Sequence, residues 1–262
     1  MKVIECFGLP YSCKTTLVKK VEALNEAKKI INYRLLTILY LYDTKKISYL
    51  EYIYWTKIEK RRELSHKKKF LKRKEKKINF FKNIIGLLLP SKISFLRKVD
   101  ELFDVHKKEY SNLLNYLNYL AKNYNAKDEI KLILDWLKFE IIGYELKKKF
   151  SNKVIFSSEG FYQLCFSLLI RINISKNQIN ELINLFPKLD HLFITINKSS
   201  KIKDIEKYIK NKNKEFIFNK NFIKKYFYTI RLLKKKNNTK IFYFNHNDID
   251  LTFQDIKKLI NI

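Results

Sequence analysis

The chain combines two hydrophobic patterns, short apolar runs and longer stretches with a three- and four-residue repeat. Short runs of this kind are typical of buried strands, and longer repeats of amphipathic helices. The strand-like runs are Val3–Phe7, Lys153–Phe156, His191–Ile196 and Lys240–Phe244. Helical patterns alternate with them, beginning near Lys14, Phe161, Asn177, Asn221 and Phe253. Because strands that alternate with helices form parallel sheets with right-handed crossovers, the pattern predicts an α/β fold.

The middle of the chain, residues 33–150, has helical spacing and no strand pattern. One amphipathic helix is predicted over Val99–Tyr124 and another over Ile130–Lys149. Gly86 and Gly143 fall inside helical patterns, and we expect neither to have a structural role. We therefore interpret residues 1–262 as a single α/β domain that carries a basic helical insertion over residues 33–150, after the first strand–helix unit.

Composition narrows the class of protein. The 262 residues include 55 Lys+Arg against 26 Asp+Glu, a net charge of +29, yet 46% are hydrophobic and 15% aromatic. This apolar content excludes a disordered polycation, which could not bury enough surface to fold. With only 4 glycines and 3 prolines, the composition is what AT-rich codons would produce, so we interpret part of the positive charge as codon bias.

The cysteines and the apolar runs indicate where in the cell the protein is expected. Cys6, Cys13 and Cys165 are too few for a disulfide framework. No apolar run reaches the roughly 18 uncharged residues that cross a bilayer. The first ten residues hold Glu5 and a glycine-proline turn, which is unlike a signal peptide. We expect a soluble cytoplasmic protein.

The segment after the first strand carries the strongest chemical signal, G-L-P-Y-S-C-K-T-T. The phosphate-binding loop reads G-x-x-x-x-G-K-[ST] between a strand and a helix, and here Cys13 replaces its last glycine. In such a loop backbone N–H groups cradle phosphates, Lys14 neutralises their charge, and the Thr15 hydroxyl is a ligand for Mg²⁺. The predicted nucleotide-binding residues in this loop are Gly8, Tyr11, Ser12, Cys13, Lys14, Thr15 and Thr16.

On these residues the chain resembles the P-loop nucleoside- and nucleotide-kinase-like NTPases, and the thymidylate-kinase-like members in particular. The resemblance covers the two ends of the chain, roughly residues 1–32 and 150–262. It implies a P-loop NTPase fold, in which helices flank a parallel sheet. It further implies ATP and Mg²⁺ as cofactors, and transfer of the γ-phosphoryl group to a small-molecule acceptor such as a nucleoside, a nucleotide or a cell-surface sugar precursor.

In the resembling kinases an acidic motif follows a buried strand beside the phosphate loop. The corresponding segment here is V-I-F-S-S-E-G, with Ser158 where aspartate is expected and Glu159 as its carboxylate. The resemblance thus implies Lys14 and Glu159 as catalytic residues, and Thr15 and Glu159 as Mg²⁺ ligands. The alternative is that Glu159 caps the helix that begins near Phe161. Tyr162 and Gln163 are candidate contacts for an acceptor, although such residues more often pack or cap.

Three further features leave the function open. Asn245 follows the fourth predicted strand, where the resembling kinases hold the adenine. Lys203–Lys214 occupies the position of their lid, but a lysine-rich solvated helix is the simpler interpretation. The basic block Lys57–Lys77 fits a nucleic-acid backbone, but a solvated helix face is the simpler interpretation. Two alternatives to a kinase remain, a degenerate P-loop protein acting as a scaffold and a nucleic-acid-associated ATPase. The sequence predicts neither the acceptor nor the oligomeric state.

Overall fold

The computed structural model describes residues 2–8, 17, 30–65, 92–150, 154–157, 160–197, 220–237 and 239–244. Within them five parallel strands form one sheet in the order β2-β3-β1-β4-β5. The strands are β1 (Lys2–Gly8), β2 (Ile30–Ile31), β3 (Val154–Ser157), β4 (His191–Asn197) and β5 (Thr239–Phe244). An α/β fold in which helices flank a parallel sheet is therefore confirmed.

Helices connect and surround the strands. The block between β2 and β3 holds α1 (Tyr33–Asp43), α2 (Tyr49–Ser65), α3 (Lys92–His106), a 3₁₀ turn (Lys107–Tyr110), α4 (Ser111–Asn123) and α5 (Lys127–Leu146). Two helices, α6 (Phe161–Ile172) and α7 (Lys176–Leu185), lie between β3 and β4, and α8 (Lys220–Lys236) precedes β5. Leu17, in the helix predicted after the first strand, is helical and buried.

β1 lies at the centre of the sheet, between β3 and β4. Six consecutive residues of this strand, from Val3 to Gly8, are buried. Because successive side chains point to opposite faces of a sheet, such a run means that both faces are covered. Val3 and Phe7 belong to a hydrophobic core that also includes side chains of α1, α3, α4, α5 and α6. The sheet and the helical block thus share one core.

The structure differs from the predicted elements in two places. The sequence predicts four strands, but Ile30–Ile31 adds a fifth, β2, beside β3. Two residues are too few to show an alternating pattern. The single helix predicted over Val99–Tyr124 is interrupted by the 3₁₀ turn, at which the side chain of Tyr110 is buried and its hydroxyl donates to Glu145 at 2.6 Å.

Gly143 also differs from expectation, since its lack of a side chain has a structural role. A Cβ at this position would lie 2.7 Å from Cδ1 and 3.0 Å from Cα of Tyr33. The glycine therefore lets α5 pack directly against the first residue of α1. Among the described helices, none is both long and apolar enough to cross a membrane.

Candidate functional site

The carboxyl ends of β3, β1 and β4 lie side by side at one edge of the sheet. Gly8, the last residue of β1, pairs with Thr195 of β4, and Ser157 ends β3 beside Glu5. The Thr195 hydroxyl donates to the carbonyl of Phe7 at 3.4 Å. The chain leaves β1 towards β2 on one side and leaves β4 towards β5 on the other. Ligands of open parallel sheets bind where connections diverge in this way, which makes this edge the candidate site.

Beneath this edge, a glutamate of β1 caps the start of α6. The side chain of Glu5 is 1% exposed, and its Oε1 accepts hydrogen bonds from the Phe161 N–H at 3.0 Å and the Tyr33 hydroxyl at 2.8 Å. Its Oε2 accepts from the Tyr162 N–H at 3.2 Å. The N-cap residue of α6, Gly160, makes no side-chain hydrogen bond. Glu5 therefore supplies, from a distant strand, the cap that the helix lacks locally.

Two opposing effects act on this carboxyl group. Burial disfavours its ionised form, whereas the three hydrogen bonds favour it. Burial prevails and raises the pKa of Glu5 from 4.5 to about 7. Burial, with Glu5 as the next cause, also raises the pKa of Tyr33 well above its usual value, so its hydroxyl keeps its proton at neutral pH. The site thus contains a carboxyl group that titrates near neutrality.

Gly160 makes room for this carboxylate. Its backbone, with φ of −92°, is open to any residue, so the constraint is space rather than conformation. A Cβ on Gly160 would lie 2.0 Å from Cδ of Glu5 and 2.2 and 2.3 Å from its two oxygens. Only a glycine allows β1 and the start of α6 to approach this closely.

Tyr162 and Gln163, which the sequence suggested as acceptor contacts or packing residues, have different roles in the structure. Tyr162 is fully buried, and its hydroxyl lies 3.0 Å from the Pro187 carbonyl and 3.2 Å from Oδ1 of Asn237, so it packs inward. Oε1 of Gln163 accepts a hydrogen bond from the Gly8 N–H at 3.4 Å. Of the two, Gln163 is the one that touches the first residue of the predicted phosphate loop.

Gly8 is the one residue of the predicted ATP and Mg²⁺ site that the structure describes, and it ends the central strand. The others lie outside the described residues: Tyr11, Ser12, Cys13, Lys14, Thr15, Thr16, Glu159 and Asn245. In the sequence, Glu159 comes two residues after the end of β3, and Asn245 directly follows β5. The N–H groups of Phe161 and Tyr162 have Glu5 as their acceptor, which is the capping role that the sequence left open for Glu159.

Sequence reasoning overlooked Glu5 as a site residue. The available signal was a carboxylate inside the otherwise apolar run V-I-E-C-F, because a charged residue in a buried strand requires a partner. Its partners were beyond prediction, since they are 28, 156 and 157 residues away in the chain.

A second polar cluster lies in the helical block. Ligand atoms of His106, Glu109 and Glu145 lie within 4.8 Å of one another, at the 3₁₀ turn and on α5. The sequence did not indicate this group, because Glu145 comes from a different helix. One of its carboxylates already accepts the Tyr110 hydroxyl.

These observations define an α/β protein with a parallel sheet and a candidate ligand site at the switch between β1 and β4. Compared with protein-family models, with curated proteins and with solved structures, the chain has no match.

Proposed function

We propose that the chain binds MgATP on residues 8–16 and transfers the γ-phosphoryl group to a small-molecule acceptor. The observation that carries this proposal is the position of Gly8. It ends the central strand beside β4, at the switch point of a parallel sheet, and the sequence that follows it is the phosphate-loop-like segment. A chance occurrence of the motif would have no reason to coincide with this position.

The residues proposed to hold the nucleotide suit MgATP. When bound, Mg²⁺ would offset the negative charge of the phosphates. Thr15 and Glu159 offer the hard oxygen ligands that this ion prefers, and Lys14 offers a point charge for the terminal phosphates. Glu159, which follows the strand next to β1, is also suited to accept the proton of an acceptor hydroxyl.

The surrounding residues support these roles. Glu5 fixes the start of α6, and Gln163 on that helix touches the Gly8 N–H. The loop after β1 and the segment after β3 therefore begin from elements that are hydrogen-bonded to each other. Phosphoryl transfer depends mainly on positioning and electrostatics, so this rigidity is what the chemistry needs. The helical block, residues 33–150, would cover the acceptor and exclude water.

Titration calorimetry with MgATP tests the proposal. We expect Lys14→Ala to weaken binding by at least about tenfold, the effect of losing a charge-assisted contact. The matched control is Lys131→Ala, which removes the same charge from an exposed position on α5 and leaves binding unchanged. Equal affinities of wild type and Lys14→Ala would refute the assignment of the loop.

Substitution of Cys13 separates a kinase from a degenerate scaffold. Cys13→Gly restores the motif and removes the Cβ, so we expect tighter MgATP binding in the same titration. Binding by Cys13→Gly alone, with none by wild type, would identify a P-loop protein that has lost its ligand. The absence of binding in both chains would refute the proposed function.

A further inference from the structure

The exposed face of α8 carries a stripe of basic side chains. The helix, K-N-F-I-K-K-Y-F-Y-T-I-R-L-L-K-K-K, contains no acidic residue. Its exposed cations are Lys224, Arg231, Lys234 and Lys235. At about 100° per residue these positions fall within roughly a third of the helix circumference. The stripe, defined by these four residues, runs for about 17 Å along the helix at 1.5 Å per residue.

An aromatic side chain lies within this stripe. Phe227 is 48% exposed, although a phenylalanine on an amphipathic helix is usually buried. The neighbouring Tyr228 is half-buried, and Nζ of Lys176 from α7 lies 5.5 Å from the centroid of its ring. The exposed face therefore combines positive charge with an accessible ring.

The cations of the stripe are not engaged elsewhere in the described part of the chain. No described acidic side chain forms an ion pair with any of the four. Two other lysines of α8 differ in this respect. Lys225 donates to the carbonyl and Oδ1 of Asn173, and Lys236 donates to the carbonyls of Ile183, Asn184 and Phe186. Those two serve the fold, and the stripe does not.

A cavity of about 510 Å³ at the end of α8 does not account for the stripe. Three lysines line it, Lys188, Lys235 and Lys236, but so does Asp190, which accepts the Val3 N–H at 2.8 Å. A carboxylate in the wall disfavours an anion there. An anionic partner therefore fits the helix face rather than the cavity.

We propose that this face of α8 binds single-stranded nucleic acid. The four cations would contact successive phosphates, and Phe227 would stack on a base, the combination by which single strands are held without sequence preference. A membrane fits less well, because interfacial helices insert an apolar face. The apolar face of α8, formed by Phe222, Tyr226, Ile230 and Leu233, is instead buried in the core. The stripe shares no residue with the basic block Lys57–Lys77 or with the proposed ATP site.

Fluorescence anisotropy with a short labelled oligothymidylate tests this inference. The stripe variant has glutamine in place of Lys224, Arg231, Lys234 and Lys235. The control variant has glutamine in place of four other exposed lysines, Lys122, Lys127, Lys131 and Lys148. Both lose four charges, so they have the same net charge. We expect the stripe variant to bind at least about tenfold more weakly than wild type. The slope of log affinity against log salt concentration should become shallower by up to about 3. The control variant should bind like wild type.

Phe227→Ala is a second, independent measurement. Loss of stacking should weaken binding about fivefold or more and leave the salt slope unchanged, since no phosphate contact is lost. This single exposed substitution avoids a change of charge, and thermal melting verifies that each variant folds.

Three results would overturn the inference. The first is an equal loss of affinity in the stripe and control variants, which would mean that net charge alone attracts the strand. The second is that wild type does not bind the oligonucleotide. The third is binding to phosphatidylserine vesicles that requires the stripe, without such a requirement for the oligonucleotide.

Discussion

Two glycines bring helices unusually close to their neighbours, one at the strand edge and one in the helical block. At Gly160, the neighbour is the Glu5 carboxylate, held by three hydrogen bonds from two elements. At Gly143, the neighbour is Tyr33, whose ring and backbone simply pack against α5. Tyr33 belongs to both regions, because its ring faces Gly143 and its hydroxyl donates to Glu5.

The difference between the two contacts lies in how each can relax. An apolar helix contact can widen by a few tenths of an ångström and lose part of its dispersion energy. The Glu5 carboxylate has no such freedom, because moving it removes acceptors from the buried N–H groups of Phe161 and Tyr162. Directional contacts of this kind fix the start of α6 more firmly than packing fixes the contact between α1 and α5 at Gly143.

Gly160→Ala should therefore have the largest effect. The added Cβ displaces a buried carboxylate from its hydrogen bonds, so we expect a loss of about 4 kcal/mol or more in the free energy of unfolding, measured by urea denaturation. The control is Ser175→Ala at the N-cap of α7, where the hydroxyl accepts the Gln178 N–H at 3.2 Å. Loss of such an ordinary cap costs about 1 kcal/mol.

A double-mutant cycle sharpens this test. In a Glu5→Ala background the carboxylate that clashes is absent, so Gly160→Ala should cost much less there than in wild type. Equal costs in the two backgrounds, or a cost no larger than that of Ser175→Ala, would show that the close approach of Glu5 does not determine the role of Gly160.

Gly143→Ala should have an intermediate effect. Its Cβ overlaps Tyr33 at 2.7 Å, and relief requires α1 and α5 to separate slightly, which typically costs about 1–3 kcal/mol. The same denaturation experiment measures this cost. A destabilisation greater than that of Gly160→Ala would reverse the comparison, and it would mean that the helical block is the more rigid of the two regions.

The same contrast explains which features the sequence could predict. Apolar periodicity is a local signal, and it correctly indicated β3, β4 and β5 as well as α6 and α8 to within one or two residues. Close contacts between elements that are distant in sequence produce no periodic pattern of residues. Gly143 therefore looked incidental within its helical pattern, although Tyr33, 110 positions earlier, is what requires it.

The candidate site was predictable in part for the same reason. The phosphate-loop-like motif is contiguous, so its place after β1 could be inferred from sequence, and Gly8 indeed ends that strand. The role of Glu5 depends on strand order and on the approach of α6, neither of which a single sequence specifies. A buried acid in an apolar strand indicates that some partner exists, without naming it.

Tyr33→Phe should have the smallest effect, and its dependence on pH identifies the cause. The folded pKa of Glu5, about 7, lies above 4.5, so between these values the native state binds more protons than the unfolded state and stability falls as pH rises. The Tyr33 hydrogen bond lowers the pKa of Glu5, so its removal raises that pKa further. We expect Tyr33→Phe to destabilise the protein by about 1 kcal/mol more at about pH 8, where Glu5 is ionised, than at about pH 4.

Tyr144→Phe is the matched control for this experiment. Both tyrosine rings meet Phe161 edge-on, at 6.1 Å for Tyr33 and 5.8 Å for Tyr144. The Tyr144 hydroxyl donates to the Lys188 carbonyl at 2.9 Å, and no hydrogen bond joins it to Glu5. Its loss should therefore cost nearly the same at both pH values. Parallel pH profiles for the two variants would mean that the Glu5 carboxyl does not titrate in this range, and the strand edge would then be held by packing, as the contact between α1 and α5 at Gly143 is.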